Sequence, residues 1–334
     1  MQENSSGHIN HADLEEHIRE FGGSRYRLRD IRRIGDGGAQ KAVYKLNCTG
    51  GPDLMLFVWD LSANYFEQDW REAGVTEESY GALQFERNTH LLSGMGVRVP
   101  AIRYISRERN RYPFDYAIVE YIHGPNLMIY EEGDTAVRDR IYEELAGMLG
   151  KMHASRSAVW GEAAEGRMNR ETAAAAPCHS GIYDNALREL AFTVARIDHA
   201  DWEEKEIRLH LDRLLANIRP RGQYGFIHGE LGPDHVLVNE RLEPYLIDIE
   251  GSEYFDIEHE HSFLQFRFGA LYDRYLRRDD LDPDRMLFYK FHHHLSCTAG
   301  GLKLLERGFP NRKLAGEIYE HNRQSVLDML KSGR

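Results

Sequence analysis

The sequence predicts an α+β protein in two lobes, a small antiparallel-sheet lobe ahead of a larger helical one. Three observations point there. Residues 26–59 read as strand, glycine cluster, strand, tight turn, strand, which is the pattern of an antiparallel meander. From residue 125 onward helical periodicity takes over, most clearly at 135–153, where Val137, Ile141, Leu145, Met148, Leu149 and Met152 share one face. Short apolar strands return inside that helical part at 226–227, 236–238 and 245–249.

Residues 12–21 follow a polar lead and predict a short helix with Leu14, Ile18 and Phe21 on one side. The first strand, 26–34, sets Tyr26, Leu28 and Ile34 among arginines and runs into Gly35, Gly37 and Gly38. The second strand is 42–46. Thr49-Gly50-Gly51-Pro52 makes the turn into a third, 54–59, that is apolar almost throughout. A helix at 79–94 carries Leu83, Phe85, Leu91 and Leu92 and is ended by Gly94 and Gly96. Two more strands, 97–105 and 116–121, precede His123-Gly124-Pro125. Helices follow at 135–153, 185–197 and 202–218, residues 161–180 read as a loop or insertion, and 261–330 is helical.

The chain has 334 residues, with 42 Lys and Arg against 54 Asp and Glu, a formal charge of −12. Such a balance disfavours sequence-independent nucleic-acid binding, which depends on phosphate-neutralising cations, and suits a cationic small molecule. No apolar run approaches the ~18 residues of a membrane span, and the N-terminus lacks a signal-peptide layout, so neither a membrane nor a nucleic-acid partner is expected. Cys48, Cys178 and Cys297 are widely spaced, which argues against a disulfide framework and for a reducing cytoplasm.

The chemistry concentrates in HGELGPDHVLV, residues 228–238, and YLIDIE, residues 245–250. Glu230 and His235 stand five residues apart, and Asp248 follows after a predicted turn at 239–243. A hairpin across that turn would bring His235 and Asp248 to neighbouring positions as ligands of one divalent cation, with Glu230 facing an incoming substrate. Phosphoryl transfer needs that set: a carboxylate that orients a hydroxyl, and metal ligands that hold nucleotide phosphates.

These segments resemble the aminoglycoside phosphotransferase and choline kinase-like group of small-molecule kinases, relatives of the protein kinases. The group's signature is approximately His-Gly-Asp-x-x-x-x-Asn followed by two hydrophobic residues, then an Ile-Asp segment. Residues 35–40 sit where the nucleotide-covering loop falls, and FERNTHLL places Glu86 at the glutamate of the N-lobe helix. AIVEYIHG, residues 117–124, is similar to the hinge, and LGKMHAS to the end of the first long helix. The resemblance implies a bilobal protein-kinase-like fold: a helical lead at 1–23, a nucleotide-binding lobe at 24–119, a hinge at 120–124 and a helical lobe at 125–334 carrying the catalytic loop and substrate site. It implies ATP or GTP as donor, Mg²⁺ or Mn²⁺ as cofactor, and the hydroxyl of a small, amine-bearing antibiotic or metabolite as acceptor, in a monomer or homodimer. Glu230 would act on that hydroxyl, and His235 and Asp248 would bind the metal. Gly35, Gly37 and Gly38 would cover the phosphates, and Glu120 to Ile122 would receive the base.

Three positions depart from the pattern. Glu230 replaces the catalytic aspartate and extends the carboxylate by one methylene. His235 replaces the metal-binding asparagine, and imidazole suits Mn²⁺ or Zn²⁺ better than Mg²⁺. The phosphate-holding lysine expected at 56–59 is missing, which leaves Lys41 or Lys45 on the second strand to replace it beside Glu86. A kinase-like protein that binds nucleotide or a small ligand without turnover is therefore the alternative. Glu250, Glu253, Asp256 and Glu258 follow Asp248 and are expected to line a pocket for a cationic acceptor, as is the run Glu131-Glu132-Gly133-Asp134. His153 and His228 read as hydrogen-bonded structural residues. The triplet His292-His293-His294 and the pair His259 and His261 suggest a metal, but they match no HExxH spacing and close no ligand set in the sequence, so a metal-dependent hydrolase is not expected.

Overall fold

The structure is a computed structural model that describes residues 8–34, 40–72, 74–76, 80–162, 176–197 and 202–332. In chain order its main elements are α1 (His11–Gly22), β1 (Arg27–Arg33), β2 (Ala42–Thr49), β3 (Leu54–Trp59), α2 (Glu67–Glu72), α3 (Ala82–Gly94), β4 (Ile102–Ser106) and β5 (Asp115–Glu120). Next come α4 (Thr135–Ala154), β6 (Arg156–Ser157), α5 (Cys178–Val194), α6 (Glu204–Ala216), β7 (Tyr224–Ile227), β8 (Val236–Val238), β9 (Pro244–Leu246) and β10 (Glu253–Phe255). The chain ends in α7 (Ile257–Phe268), α8 (Pro283–Glu306) and α9 (Arg312–Ser332). It divides into two compact units, Met1–Ile129 with Val236–Glu250, and Tyr130–His235 with Gly251–Arg334. The β8–β9 hairpin thus belongs to the first unit, although the sequence reading assigns all of 125–334 to the helical lobe.

The first unit is built on a five-stranded antiparallel sheet in the order β1-β2-β3-β5-β4. Central β3 is apolar along its length because both of its faces are covered. Leu54, Leu56 and Val58 pack with Leu14 and Ile18 of α1, while Phe57 and Trp59 meet Phe85 of α3 edge-on or tilted. Helix α1 starts where the Asn10 side chain accepts from the Ala12 N–H, and it stops at Gly23, whose φ of 82° favours glycine. Across the ladder Ala42 faces Val58 and Val43 faces Phe57, so β2 presents its odd-numbered residues to the α3 side. The hairpin expected at 239–243 forms, with Val236 opposite Leu246. Asn239 builds its turn by accepting from the Arg241 and Glu243 N–H groups at 2.9 Å.

The second unit is mainly helical, with a small antiparallel sheet in the order β10-β7-β6. Its core gathers Ile207, Leu211, Phe288, Phe291, Leu295 and Val326 from three helices. Asp134 caps α4 by accepting from Ala136 and Val137, and Asp282 caps α8 ahead of Pro283 at the first turn. Among the described residues no helix is long and apolar enough to cross a membrane.

Candidate active site

At the end of β5 the chain runs into residues 120–124, the segment expected to serve as a hinge. Glu120 is committed there: its N–H donates to the Ala101 carbonyl at 2.9 Å and its carboxylate accepts from the Ala101 N–H at 3.2 Å. Ile122 is buried. A pocket of about 270 Å³ opens beside them, lined by residues 120–123, 239–241 and Tyr245. Gly124 has φ of 153°, and a Cβ there would lie 1.8 Å from the Val238 carbonyl oxygen, so only glycine allows the hinge and the hairpin to approach this closely. Val238 N–H donates to the Pro125 carbonyl and seals the contact.

The centre of the first unit is Lys41. One residue before the Ala42–Val58 pair, it lies on the α3 side of the sheet, with its ammonium 5.2 Å from the Phe57 ring centroid. Its Nζ donates to Asp248 Oδ1 at 2.5 Å and to Glu250 Oε1 at 2.6 Å. Burial alone would lower the lysine pKa, but the two carboxylates outweigh it and raise the pKa above the ordinary lysine value. Trp59 Nε1 donates to the same Glu250 oxygen at 3.0 Å. Asn88 of α3 anchors the segment by donating to the carbonyls of Ile249 and Glu250 at 2.8 and 3.2 Å. Asp248 itself has φ of 63°, an unusual backbone for an aspartate and one held here by these contacts.

Of the two candidate lysines, Lys41 is thus the one bound to Asp248 and Glu250, whereas Lys45 pairs with Asp53 at 3.1 Å and lies over the Tyr121 ring. Glu86 is not its partner. The structure instead pairs Glu86 with Arg107 at 3.1 Å, because the buried face of α3 runs through Ala82, Phe85, Asn88, Thr89 and Leu92 and leaves Glu86 off it. Gly35, Gly37 and Gly38 lie outside the described residues.

In the second unit, β7 leads into the loop that carries Glu230 and His235. Glu260, fully buried, organises it: the carboxylate hydrogen-bonds His153 Nε2 at 2.7 Å and accepts from the His228 N–H at 3.1 Å. Burial would raise the Glu260 pKa, but His153 and the neighbouring histidines bring it below the usual carboxylate value. Glu230 is exposed, and its carbonyl accepts a hydrogen bond from His235 Nδ1 at 2.8 Å. In the neutral ring that bond places the proton on Nδ1 and leaves the lone pair on Nε2. Arg267 of α7 donates to Asp234 at 2.6 Å, and a Cβ on Gly232 would come within 2.7 Å of that guanidinium. His235 and Arg267 hold the Asp234 carboxyl below its usual value, although burial works in the opposite direction.

Three of the four acidic residues expected after Asp248 to greet a cationic acceptor are engaged elsewhere. Asp256 is fully buried, ion-paired with Arg285 and hydrogen-bonded by Tyr289 at 2.5 Å. Glu258, also buried, takes a two-pronged contact from Arg221 at 2.7 and 2.8 Å and accepts from the Asp282 N–H. Glu250 is held by Lys41 and Trp59. Glu253 sits on β10 opposite Ile227, and desolvation, reinforced by Glu162, pushes its pKa up to about 8. Asp256 and Glu258 are thus structural ion-pair groups and Glu250 is taken up by Lys41 and Trp59, so these three do not build the expected acidic acceptor pocket. Exposed Glu132 and half-buried Glu131 are the acids of the other run that remain, since Asp134 caps α4.

Comparison with known proteins decides the family. Residues 56–289, well over half of the chain, match the model of the phosphotransferase enzyme family. The chain belongs to that family. No curated protein matches it in sequence. Among solved structures, choline kinase LicA from Streptococcus pneumoniae is 16% identical with a TM-score of 0.62, covering 96% of this chain and 99% of its own. A spectinomycin phosphotransferase in complex with ADP and spectinomycin is 13% identical at TM-score 0.63, with coverage of 96% and 98%. The GDP complex of aminoglycoside 2′-phosphotransferase-IIIa is 17% identical at TM-score 0.59, with coverage of 95% and 99%. At such identities the likeness establishes the fold: the chain is α+β and protein-kinase-like.

Within this member of the family, sequence reasoning missed Trp59, Asn88 and Arg267. Asn88 had a readable signal, a polar amide inside the apolar stripe of α3, three residues from Phe85. Trp59 and Arg267 reach partners 191 and 33 residues away, and no local pattern encodes such contacts.

Proposed function

We propose that this protein transfers the γ-phosphoryl group of a nucleoside triphosphate, ATP or GTP, to a hydroxyl of a small, amine-bearing molecule. The observation that carries this is the Lys41–Asp248–Glu250 cluster, in the unit that also contains the hinge pocket. Two carboxylates converge on one cationic nitrogen, and oxygen donors so arranged suit Mg²⁺ or Mn²⁺. When bound, such an ion supplies charge neutralisation for the phosphates. Lys41, released from Asp248, becomes a donor to phosphate oxygens, and residues 120–123 receive the base. The covering glycines are proposed as Gly35, Gly37 and Gly38, and His235 as a nitrogen ligand through Nε2. Glu230 orients the acceptor hydroxyl and takes its proton. The choline kinase and the spectinomycin complex among the structural relatives support a small-molecule acceptor.

Single-turnover transfer from labelled ATP and GTP to a panel of amine-bearing alcohols, with Mg²⁺ and with Mn²⁺, tests the reading. The parent should transfer, and Glu230→Ala should slow transfer by about 10²–10⁴-fold, the usual contribution of a general base. Equal rates would remove Glu230 from its role. Nucleotide binding without transfer under either cation would favour a non-catalytic binding protein, the reading that the Glu86–Arg107 pair supports.

A further inference from the structure

The helical unit holds a second chemical cluster that phosphoryl transfer leaves unused. His259 lies on α7, and His292 and His293 lie on α8. One ring nitrogen of each falls within 4.8 Å of those of the other two. The rings of His259 and His293 are 4.5 Å apart between centroids, those of His292 and His293 5.5 Å, and those of His259 and His292 6.2 Å. His259 Nδ1 and His292 Nδ1 are both buried with no hydrogen-bond partner.

The surroundings prepare these nitrogens as ligands. His292 Nε2 is bonded to Asn185 Oδ1 at 2.8 Å, and because that oxygen can only accept, the proton resides on Nε2 and the lone pair on Nδ1. An outer partner that fixes the tautomer in this way is the usual companion of a metal-binding histidine. His293 Nε2 donates to the His259 carbonyl at 3.0 Å and orients the third ring. Burial keeps all three imidazoles neutral, with His292 lowered to about 3, His293 to about 4 and His259 well below its ordinary value. Phe255, Phe263 and Tyr289 pack against the cluster and restrict water. Imidazole selects borderline d-block ions over Mg²⁺ or Ca²⁺, and three protein ligands leave one tetrahedral position for water.

We propose that His259, His292 and His293 form a binding site for a divalent cation of the Zn²⁺ class, which cross-links α7 to α8. The site is independent of the phosphotransfer reading and stands or falls separately from it. Full-length His235→Asn protein, which lacks the nitrogen ligand proposed for the phosphotransfer centre, stripped with EDTA and dialysed against Zn²⁺ or Co²⁺, should retain one equivalent of metal per chain through gel filtration. The Co²⁺ form should show the visible absorption of a tetrahedral site, and Zn²⁺ should raise the Tm. Asn185→Ala should weaken Zn²⁺ affinity about 10–100-fold, the typical effect of removing an outer partner. His292→Gln should abolish retention. His294→Gln, which alters a ring bonded to Asn322 outside the cluster, should keep the equivalent. Absence of retained metal in the His235→Asn protein, or retention unchanged by both Asn185→Ala and His292→Gln, would overturn the proposal.

Discussion

Lys41 binds two carboxylates at once in the candidate centre, Asp248 and Glu250. In the proposed function, a cation at these oxygens would free the ammonium to turn to phosphate. A different logic governs Glu253. Its carboxyl stays protonated in the folded chain up to about pH 8 but ionises near 4.5 once unfolded. The folded state thus binds more protons across that window, and stability falls as pH rises through it. Glu253→Gln should leave the Tm unchanged at pH 4 and raise it at pH 9, followed by circular dichroism; equal Tm values for parent and variant at pH 9 would show that the carboxyl is not held neutral. Asp256 and Glu258 show why acid-rich sequence misleads at this scale. Their guanidinium partners, Arg285 and Arg221, lie 29 and 37 residues away, so nothing local distinguishes a buried ion pair from a solvated face.

Among the elements, β3 and α4 were the most legible. An unbroken apolar strand and a long 3.6-residue repeat each state their burial directly, and the observed bounds, Leu54–Trp59 and Thr135–Ala154, lie close to those expected. The hairpin of β8 and β9 was legible from its turn residues. Helix α3 was legible as a helix but not in its facing, because the sequence reading followed Glu86 rather than the stripe through Phe85 and Asn88. Strand β10 was read only as a charged stretch, since three residues are too few to show alternation. Helices α8 and α9 depend on a close approach at Gly301, where a Cβ would stand 2.7 Å from the Tyr319 nitrogen and 2.9 Å from the Ala315 oxygen. Backbone atoms cannot rotate aside. Gly301→Val should cost about 1–3 kcal/mol in urea unfolding, the range for overpacked sites; an unchanged midpoint would mean that the helices separate freely.

For the whole molecule, the charge of −12 narrows to fewer acids than the sequence suggests are available to a ligand. Asp248 and Glu250 are bound to Lys41, Asp256 and Glu258 to arginines, and Glu253 is raised towards neutrality. The order of motifs along the chain was enough to predict the fold class and the family. It was not enough to choose between Lys41 and Lys45, which share a face and are separated by their partners, Asp248 and Glu250 for the first and Asp53 for the second. That choice is the centre of the account. Calorimetric titration of nucleotide with Mg²⁺ and Mn²⁺ into Lys41→Met and Lys45→Met, with transfer rates measured alongside, tests it most directly. Lys41→Met should lose transfer by about 10²–10³-fold, the cost of removing one preorganised charge donor, while Lys45→Met stays close to the parent. Full activity in Lys41→Met, or a greater loss in Lys45→Met, would contradict the account.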